Sequence, residues 1–342
     1  MHSSNKLSVS VVIPVHNGGE SFRQCLSSLA QAMPQPDEII VVADGESDGS
    51  WCLAEKFGAK VLRLPTCGGP ARARNLGARA AKGDIVFFVD ADVAVATDAV
   101  AEVKRVFEQD PLLDAVIGSY DDAPGAKNFL SQYKNLLHHY THQIANEEGF
   151  TFWGALGAIR REIFFGVGGF DEGYRLPSIE DIELGYRLKK AGHQIRLCKT
   201  LQGKHLKHWG VVSLLRADIF YRAIPWTALI LRDRTLPNDL NLGFSSRLSV
   251  ILTYLLIIAL AGSYWWPSLL LFAAIVTSPL LAINAPVYRF FERKHGLGFA
   301  LKTIPWHWLY YFYGGLAFAI GVVRHLFYMY GDKTDSSNFL AE

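Results

Sequence analysis

Short apolar runs alternate with amphipathic segments along the chain up to about Gly210. Runs rich in β-branched residues predict strands, and segments with apolar residues on one face predict helices. The predicted strands are residues 9–13, 38–42 and 60–64, and two of the predicted helices are residues 20–30 and 70–81. Alternation of strands and helices at this spacing is typical of βαβ units, so we expect an α/β fold with a mostly parallel sheet.

The apolar run at residues 85–89 ends in two carboxylates, Asp90 and Asp92. Such a run predicts a strand buried on both faces, and ligands of open α/β sheets bind at the carboxyl ends of strands. If the strand extends to residue 92, the two carboxylates point to the same side. Paired oxygen ligands suit Mg²⁺ or Mn²⁺, which in turn suits a diphosphate. A solvated turn is the alternative for these two aspartates taken alone.

Beyond Arg247 the chain is almost continuously apolar. Runs of this length predict about three transmembrane helices, at residues 248–264, 267–285 and 304–326. Arginines and lysines precede the first run and separate the second from the third, whereas the turn at residues 263–267 is uncharged. The positive-inside rule therefore places the N-terminal domain in the cytoplasm and the tail after Gly331 on the opposite side. The alternative is a buried helix bundle of a soluble protein.

The segment at residues 211–246 differs from both neighbouring regions. Charged residues such as Arg216, Asp218 and Arg222 interrupt leucines and aromatic residues, and Pro225 is expected to kink the segment. An amphipathic helix in the membrane interface and a helix packed on the globular domain both fit this pattern. We therefore predict a cytoplasmic α/β domain at residues 1–210, an amphipathic interfacial linker at 211–246 and a membrane domain at 247–342.

The amino-acid composition bears on nucleic-acid binding and on the cellular compartment. The chain has 34 Lys and Arg residues against 32 Asp and Glu residues, a balance that does not indicate nucleic-acid binding. The N-terminus lacks the hydrophobic core of a signal peptide, which agrees with a cytoplasmic domain. The cysteines show no metal-ligand spacing and are interpreted as free thiols in a reducing compartment: Cys25, Cys52, Cys67 and Cys198.

Six short sequence blocks follow one another along the N-terminal region. They are residues 11–17 (VVIPVHN), 44–50 (DGESDGS), 73–77 (ARNLG), 90–92 (DAD), 168–172 (GGFDE) and 180–184 (EDIEL). In this order they resemble the GT-A glycosyltransferases of family 2. The resemblance covers about residues 8–201, and each block is weak alone but specific in combination. It implies a Rossmann-like GT-A domain that transfers a sugar from a nucleotide diphosphate sugar.

On the donor side, the resemblance implies that Pro14, His16 and Asn17 belong to the nucleoside pocket, although an ordinary turn after a strand also fits His16. Asp44 corresponds to the aspartate that hydrogen-bonds the base, commonly uracil, so a UDP-sugar is favoured. The family often has two adjacent aspartates here, but this chain has Ala43 before Asp44, which leaves the base open.

For the diphosphate and the metal, the resemblance implies Arg74, Asp90 and Asp92. Arg74 would donate charge-assisted hydrogen bonds to the diphosphate. Asp92 is the firmer ligand of a divalent cation, and Asp90 binds either the cation or the ribose. In some relatives a later histidine completes the metal site, which makes His205 and His208 candidates. A basic patch that contacts phospholipid headgroups is the alternative for both.

On the acceptor side, the resemblance assigns the catalytic base to Asp181, next to Glu180. An acceptor hydroxyl must lose its proton as it attacks, and a carboxylate can take it. The same residues also read as an acidic helix N-terminus, and a helix start can aim them at the site. Trp153 and Gly154 resemble the acceptor-side wall.

The sequence thus predicts a membrane-bound, metal-dependent and inverting glycosyltransferase with a lipid or lipid-linked hydroxyl acceptor at the cytoplasmic leaflet. A polyprenyl-phosphate glycosyltransferase is the nearest alternative, but its phosphate acceptor needs no strong base. A processive polysaccharide synthase is less favoured, because the Gln-x-x-Arg-Trp motif of those enzymes is absent. From another class, a non-catalytic scaffold that binds a sugar nucleotide would bind without turnover and would not require Asp181.

Overall fold

The computed structural model describes residues 6–331, with side chains described for residues 6–327. The predicted position of the tail after Gly331 concerns residues outside this range. Described residues up to Gly210 form one compact unit, and those from Val211 onward form a second.

The first unit is built on an eight-stranded sheet with the order β3-β2-β1-β4-β7-β6-β8-β5. Strands β3, β2, β1 and β4 are parallel neighbours, whereas β7 runs antiparallel to both β4 and β6. The sheet is therefore mixed, with a parallel half at its start. Its strands are β1 (Val9–Val15), β2 (Glu38–Asp44), β3 (Lys60–Leu64), β4 (Ile85–Val89), β5 (Val93–Val95), β6 (Ala115–Tyr120), β7 (Leu156–Arg160) and β8 (Ile195–His205).

Helices cover both faces of this sheet. Phe87 of β4 belongs to an apolar cluster with side chains of the first and fourth helices, and its neighbour Phe88 belongs to a second cluster on the other face. Burial on both faces explains why β4 is a continuous apolar run rather than an alternating one. The helices are α1 (Gly19–Ala30), α2 (Ser50–Lys56), α3 (Pro70–Ala80), α4 (Ala99–Gln109), α5 (Phe129–Ile144), α6 (Arg161–Gly166) and α7 (Glu180–Lys190).

Two strand ends differ from the sequence prediction. Strand β1 continues through Pro14 to Val15, because its pairing with β2 extends to Val15 while its pairing with β4 reaches only Val12. Strand β4 ends at Val89, and the amide of Val93 donates to the carbonyl of Asp90 at 3.0 Å. This bond closes a tight turn over residues 90–93, so the expected extended segment through Asp92 is wrong.

The second unit is helical. A helix starts as α8 (Val211–Arg216), continues as a π-helical segment (Ala217–Ala223) and becomes α9 (Ile224–Asp233). The wider π turn precedes Pro225, which cannot donate to the carbonyl four residues earlier. After a short 3₁₀ turn (Leu240–Leu242) follow three long helices: α10 (Phe244–Gly262), α11 (Leu269–His295) and α12 (Leu297–Gly331).

The basic residues that separate the second apolar run from the third lie in helices and do not form a loop. Helix α11 includes the arginines and the first lysine of this stretch as far as His295, and only Gly296 separates α11 from α12. Gly296 has a φ of +80°, which a residue without a Cβ adopts without strain. The chain can therefore change direction sharply between α11 and α12. Arginine and lysine are good helix formers, which is why a charged stretch stays helical here.

Two helices of the described chain, α10 and α11, are long and apolar enough to span a membrane. Only 22% of the most apolar window of α10 and 28% of that of α11 are buried. The third predicted span, residues 304–326, lies within α12, which is not one of these two helices. Most residues of these two windows are thus not buried within the second unit, and many of the apolar side chains are exposed.

Candidate active site

The carboxyl ends of the parallel strands β1, β2 and β4 meet at one edge of the sheet. The loop after β1 begins with His16 and Asn17, β2 ends at Asp44, and β4 is followed by Asp90. Strands that run in the same direction must end on the same side. The fold therefore brings the predicted donor-side residues to a common edge.

The loops after β1 and β2 are hydrogen-bonded to each other. Nδ1 of His16 lies 2.7 Å from the carbonyl oxygen of Asp44, and Oδ1 of Asn17 accepts from the amide of Ser47 at 2.8 Å. Asn17 has a φ of +53°, a conformation that asparagine tolerates better than most residues. These bonds hold the predicted nucleoside loop in one conformation.

Asp44 is buried, and its carboxylate accepts from the amides of Gly68 and Gly69 at 2.7 Å and 2.9 Å. It therefore anchors the loop that leads into α3. A carboxylate has about four acceptor positions, so these two bonds leave capacity for a base. The predicted contact between Asp44 and the base stays a prediction.

Arg74 lies at the centre of the site. Its Nη2 donates to Oδ1 of Asp90 at 2.7 Å, and its Nη1 donates to Oε1 of Glu180 at 2.8 Å. The side chains of Arg74 and Glu180 are 4% and 5% exposed, so their bond forms away from water, whereas the side chain of Asp90 is 32% exposed. Burial alone would lower the pKa of Arg74, but Asp90 and Glu180 raise it above the usual value, and the guanidinium stays charged.

The structure shows Arg74 bound to two protein carboxylates, whereas the sequence analysis predicts that it binds the diphosphate. Two of its nitrogens are committed to protein carboxylates, so the structure makes Arg74 a bridge between Asp90 and the start of α7. Burial, opposed by Arg74 and assisted by the nearby Asp92, raises the pKa of Asp90. A direct bond from Arg74 to a diphosphate stays a prediction.

Glu180 and Asp181 form the first turn of α7. Oε2 of Glu180 accepts from the amide of Ser178 at 2.9 Å, so this residue stabilises the helix start as well as binding Arg74. The interpretation of the acidic pair as a helix N-terminus is therefore confirmed, whereas its catalytic role stays a prediction. The two carboxylate oxygens of Glu180 connect the helix terminus to the centre of the site.

Asp181 is oriented by two backbone amides. Its Oδ2 accepts from Gly154 at 3.0 Å and its Oδ1 accepts from Ile182 at 2.8 Å. Burial, with the negative charge of Glu180 beside it, raises the pKa of Asp181 to about 6. A carboxylate with this pKa is ionised at neutral pH and is a better proton acceptor than an ordinary aspartate.

The neighbouring Trp153 and Gly154 link the candidate base to Arg74. A Cβ on Gly154 would lie 2.9 Å from Cζ of Arg74, which is closer than such contacts occur. Glycine at this position therefore permits the guanidinium of Arg74 to pack against the backbone whose amide donates to Asp181. The Trp153 ring is partly buried against other aromatic rings, and its predicted role as acceptor wall stays a prediction.

Of the two candidate histidines, His205 lies beside Asp92. Antiparallel pairing of β5 with β8 places Val93 opposite His205, and Nε2 of His205 is 3.7 Å from Oδ2 of Asp92. Burial would raise the pKa of Asp92, but His205 and the charge of Lys207 lower it below the usual value. His208 is exposed, and the described contacts do not bring it to Asp92.

A carboxylate oxygen and an imidazole nitrogen are suitable ligands for Mn²⁺. Asp92 and His205 are separated by more than a hydrogen bond, which leaves room for a cation between their ligand atoms. No group of three or more such side chains within residues 6–331 could hold a metal by itself. The donor set therefore fits a cation that shares its coordination with substrate oxygens, as Mg²⁺ and Mn²⁺ sites for phosphates commonly do.

Sequence reasoning missed the aromatic surroundings of His205. Tyr120 at the end of β6 stacks on it, and three histidines of α5 lie on the same side of the sheet. Their spacing at His138, His139 and His142 is helical and was a usable signal for one face of α5. Nothing in the local pattern around Tyr120 indicates its partner, because the two rings are far apart in the sequence.

A family model described as Glycosyl transferase family 2 matches residues 10–166. Among curated relatives, the probable glycosyltransferase YdaM of Bacillus subtilis is 30% identical over 205 residues, which is 55% of this chain and 48% of that protein. The pre-mycofactocin glycosyltransferase of Mycobacterium tuberculosis is 31% identical over 204 residues, covering 55% of this chain and 40% of that protein. The chain thus spans less than half the length of these two relatives.

Solved structures share the fold. The mannosyltransferase PcManGT from Pyrobaculum calidifontis, in complex with GDP-Man and Mn²⁺, superposes with a TM-score of 0.58 at 19% identity, over 94% of this chain and 88% of that one. Residues 1–349 of S. aureus TarS in complex with UDP-GlcNAc give a TM-score of 0.51 at 20% identity, over 66% of each chain. These likenesses confirm the predicted GT-A fold. The family model identifies residues 10–166 as a glycosyltransferase family 2 domain, the family that the sequence blocks predict for this region.

Proposed function

We propose that the chain is a membrane-bound, metal-dependent glycosyltransferase that moves a sugar from a nucleotide diphosphate sugar to a hydroxyl of a lipid or lipid-linked acceptor. The observation that carries this proposal is the double ion pair of Arg74. It joins Asp90, at the end of a donor-side strand, to Glu180, which immediately precedes the candidate base Asp181. One buried guanidinium therefore sets the spacing between the two acidic regions that sugar transfer requires.

On the donor side, Asp92 and His205 would hold the divalent cation. A bound divalent cation supplies positive charge that stabilises the departing nucleoside diphosphate. The similar folds were solved with GDP-Man and Mn²⁺ and with UDP-GlcNAc, which supports a nucleotide sugar as the donor class. Asp44 and the loop of His16 and Asn17 would face the nucleoside, and a UDP-sugar is the favoured donor.

On the acceptor side, Asp181 takes the proton of the attacking hydroxyl. The amides of Gly154 and Ile182 orient its carboxylate, and its raised pKa increases its affinity for a proton. Arg74 holds Glu180 beside it and prevents the helix start from moving. A single displacement assisted by one base inverts the anomeric configuration, so an inverting reaction is expected.

The second unit supports a lipid or lipid-linked acceptor and a location at the membrane. Helices α10 and α11 expose apolar side chains such as Ile251, Ile258 and Leu271, which are 57%, 64% and 70% exposed. A core helix of a soluble protein would be mostly buried, so a bilayer is the natural cover for these surfaces. Arginines near the ends of these helices favour an integral membrane protein with the catalytic domain in the cytoplasm.

Purified full-length protein in detergent can be tested with UDP-glucose, UDP-GlcNAc and GDP-mannose, by measuring the nucleoside diphosphate released with MnCl₂, with MgCl₂ or with EDTA. We expect release to require the metal and to fall by roughly 10²–10⁴-fold in Asp181→Asn, the usual contribution of a general base. Asp98→Asn removes an exposed carboxylate of the same unit and should retain full activity. Unchanged turnover in Asp181→Asn would exclude Asp181 as the base, and metal-independent turnover would exclude the role of Asp92.

A second assay identifies the acceptor. Radiolabelled donor is incubated with membrane lipids, and the labelled product is treated with mild acid. A glycosidic bond to a hydroxyl survives this treatment, whereas a glycosyl phosphate is cleaved. A labile product that forms equally well in Asp181→Asn would replace the hydroxyl acceptor with a polyprenyl phosphate. Label found only in water-soluble products would exclude a lipid acceptor.

A further inference from the structure

Tyr120, the last residue of β6, covers one face of the His205 imidazole. The two rings are stacked, with centroids 4.2 Å apart and planes only 7° from parallel. Tyr120 is 9% exposed and His205 is 7% exposed, so the stack is shielded from water. The plane of the tyrosine ring therefore restricts the plane in which the imidazole can lie.

The orientation of this imidazole matters because Nε2 of His205 faces Oδ2 of Asp92. Rotation of the ring about its own side-chain bond would carry Nε2 away from the carboxylate. Metal-binding histidines are usually held against such rotation by a hydrogen bond from the second ring nitrogen. Within residues 6–327, the contacts found at the imidazole of His205 besides Asp92 are ring contacts, with Tyr120 and with Trp209. Stacking thus takes the place of that hydrogen bond.

Tyr120 is itself held from several directions. Its carbonyl oxygen lies 2.7 Å from Nδ1 of His139, a buried residue of α5. Its ring meets the edge of Trp153 at 4.8 Å and an angle of 79°. Its backbone pairs with Gly203 of β8, two residues before His205. The backbone of Tyr120 is thus held by α5 and β8, and its buried ring packs against both Trp153 and His205.

We propose that Tyr120 is a positioning residue of the metal site, which fixes the imidazole plane of His205 so that Nε2 points toward the cation shared with Asp92. The inference rests on the proposed function, since it assumes that Asp92 and His205 bind a divalent cation. It assigns the role to the aromatic face of Tyr120 and not to its hydroxyl group.

The test measures Mn²⁺ affinity without any turnover. Full-length protein in detergent is titrated with MnCl₂ alone, and free Mn²⁺ is followed by electron paramagnetic resonance. Tyr120→Phe keeps the ring and should bind within about twofold of the wild type. Tyr120→Leu removes the ring, and we expect about 10–100-fold weaker binding, the usual effect of losing a group that orients a metal ligand. If Tyr120→Leu does not fold, Tyr120→Met fills the same space with a flexible chain and carries the same expectation.

Phe107→Leu is the matched control, because it removes another buried ring of the same unit that does not contact His205. Equal losses of affinity in Phe107→Leu and Tyr120→Leu would overturn the inference, since the effect would then be a general loosening of the core. Wild-type affinity in Tyr120→Leu, with lost binding in His205→Ala, would also overturn it. If Asp92→Ala and His205→Ala both bind Mn²⁺ as the wild type does, the metal site of the proposed function itself fails.

Discussion

The two units of the chain bury polar side chains of different chemical types. In the first unit the buried groups include the charges of Arg74 and Glu180, both 4% exposed. In the second unit the buried groups are largely neutral, as in Ser249 and Asn284, which are 0% and 6% exposed. The difference shows two ways to satisfy a polar group away from water, by an opposite charge or by a neutral hydrogen bond.

The neutral network of the second unit connects three long helices. Nδ2 of Asn284 on α11 donates to Oγ of Ser249 on α10 at 3.0 Å, and the hydroxyl of Tyr311 on α12 donates to Oδ1 of Asn284 at 2.8 Å. Desolvating neutral groups costs far less than desolvating charges. Such bonds between neighbouring helices are compatible with the membrane domain proposed above, because each pairs its polar groups without water.

Asp218 is the exception in the second unit. Its side chain is buried, yet it accepts a 2.8 Å hydrogen bond from Tyr313 and lies 3.5 Å from Nη1 of Arg222. A buried carboxylate here follows the rule of the first unit, because a cation and a hydroxyl both compensate it. The comparison therefore concerns the chemistry of the buried group and not merely the unit in which it lies.

Replacing Arg74 should produce the largest effect on stability. Arg74→Leu leaves Glu180 buried without its cation, and removal of one partner of a buried ion pair typically costs about 3–5 kcal/mol. We expect this decrease in the free energy of unfolding, measured by denaturant titration of the full chain in detergent. Transfer activity should be lost as well, because Asp90 and the start of α7 are no longer joined.

Two further variants separate this explanation from a general packing defect. Arg72→Leu changes an exposed arginine of the same helix and should alter the free energy of unfolding by no more than about 0.5 kcal/mol. Arg74→Leu combined with Glu180→Leu removes both charges and should recover much of the lost stability. If the double variant is as unstable as the single one, the unpaired carboxylate is not the cause.

The fold was largely predictable because buried strands and helix ends can be recognised from short stretches of sequence. Strand β4 is apolar on both faces and reads as a buried strand, and the acidic start of α7 reads as a helix N-terminus. The ion pairs around Arg74 were not predictable, since Glu180 lies 106 residues away in the sequence. The stack of Tyr120 on His205 was hidden for the same reason. Local patterns report which side chains are buried, whereas their partners depend on how the strands are ordered in the sheet.

The raised pKa of Asp181 predicts how the rate of sugar transfer depends on pH. With the pKa of Asp181 raised to about 6, the base is ionised above that pH and protonated below it. We expect kcat/KM to be constant above about pH 6 with respect to this group, and to fall about tenfold per pH unit below it, in initial rates of donor turnover. Asp181→Asn should lose this slope. A wild-type profile without a break between about pH 5 and 7 would contradict the assignment.

The same pKa has a consequence for stability, with the sign opposite to that of most carboxylates. A folded-state pKa above the unfolded value means that the native protein binds the proton more tightly. The contribution of Asp181 is therefore more favourable below about pH 4 and is lost as the pH rises to about 6. Asp181→Asn removes the ionisation, so we expect the free energy of unfolding of this variant to exceed that of the wild type more at pH 7 than at pH 4.

Among the replacements of Arg74, Asp181 and Asn284, that of Asn284 should have the smallest effect on the free energy of unfolding. Asn284→Leu removes the hydrogen bonds to Ser249 and Tyr311, and it places an apolar side chain of similar size between the helices. Hydrogen bonds between membrane helices contribute about 0.6 kcal/mol on average and up to about 1.7 kcal/mol, and we expect a loss in that range. Helical circular dichroism during an SDS titration of the full chain in mixed micelles measures it.

Ser278→Ala on the exposed side of α11 is the control for this change, because its hydroxyl bonds only within its own helix, to the carbonyl of Ala274. It should unfold as the wild type does. A loss in Asn284→Leu as large as that in Arg74→Leu would break the comparison, because neutral and charged networks would then contribute equally. A small loss in Asn284→Leu, absent when Ser249 and Tyr311 have already been replaced by Ala and Phe, would attribute the stabilisation to the interhelical bonds themselves. That result would leave the charge of the buried group, and not the unit in which the group lies, as the feature that determines the size of the loss.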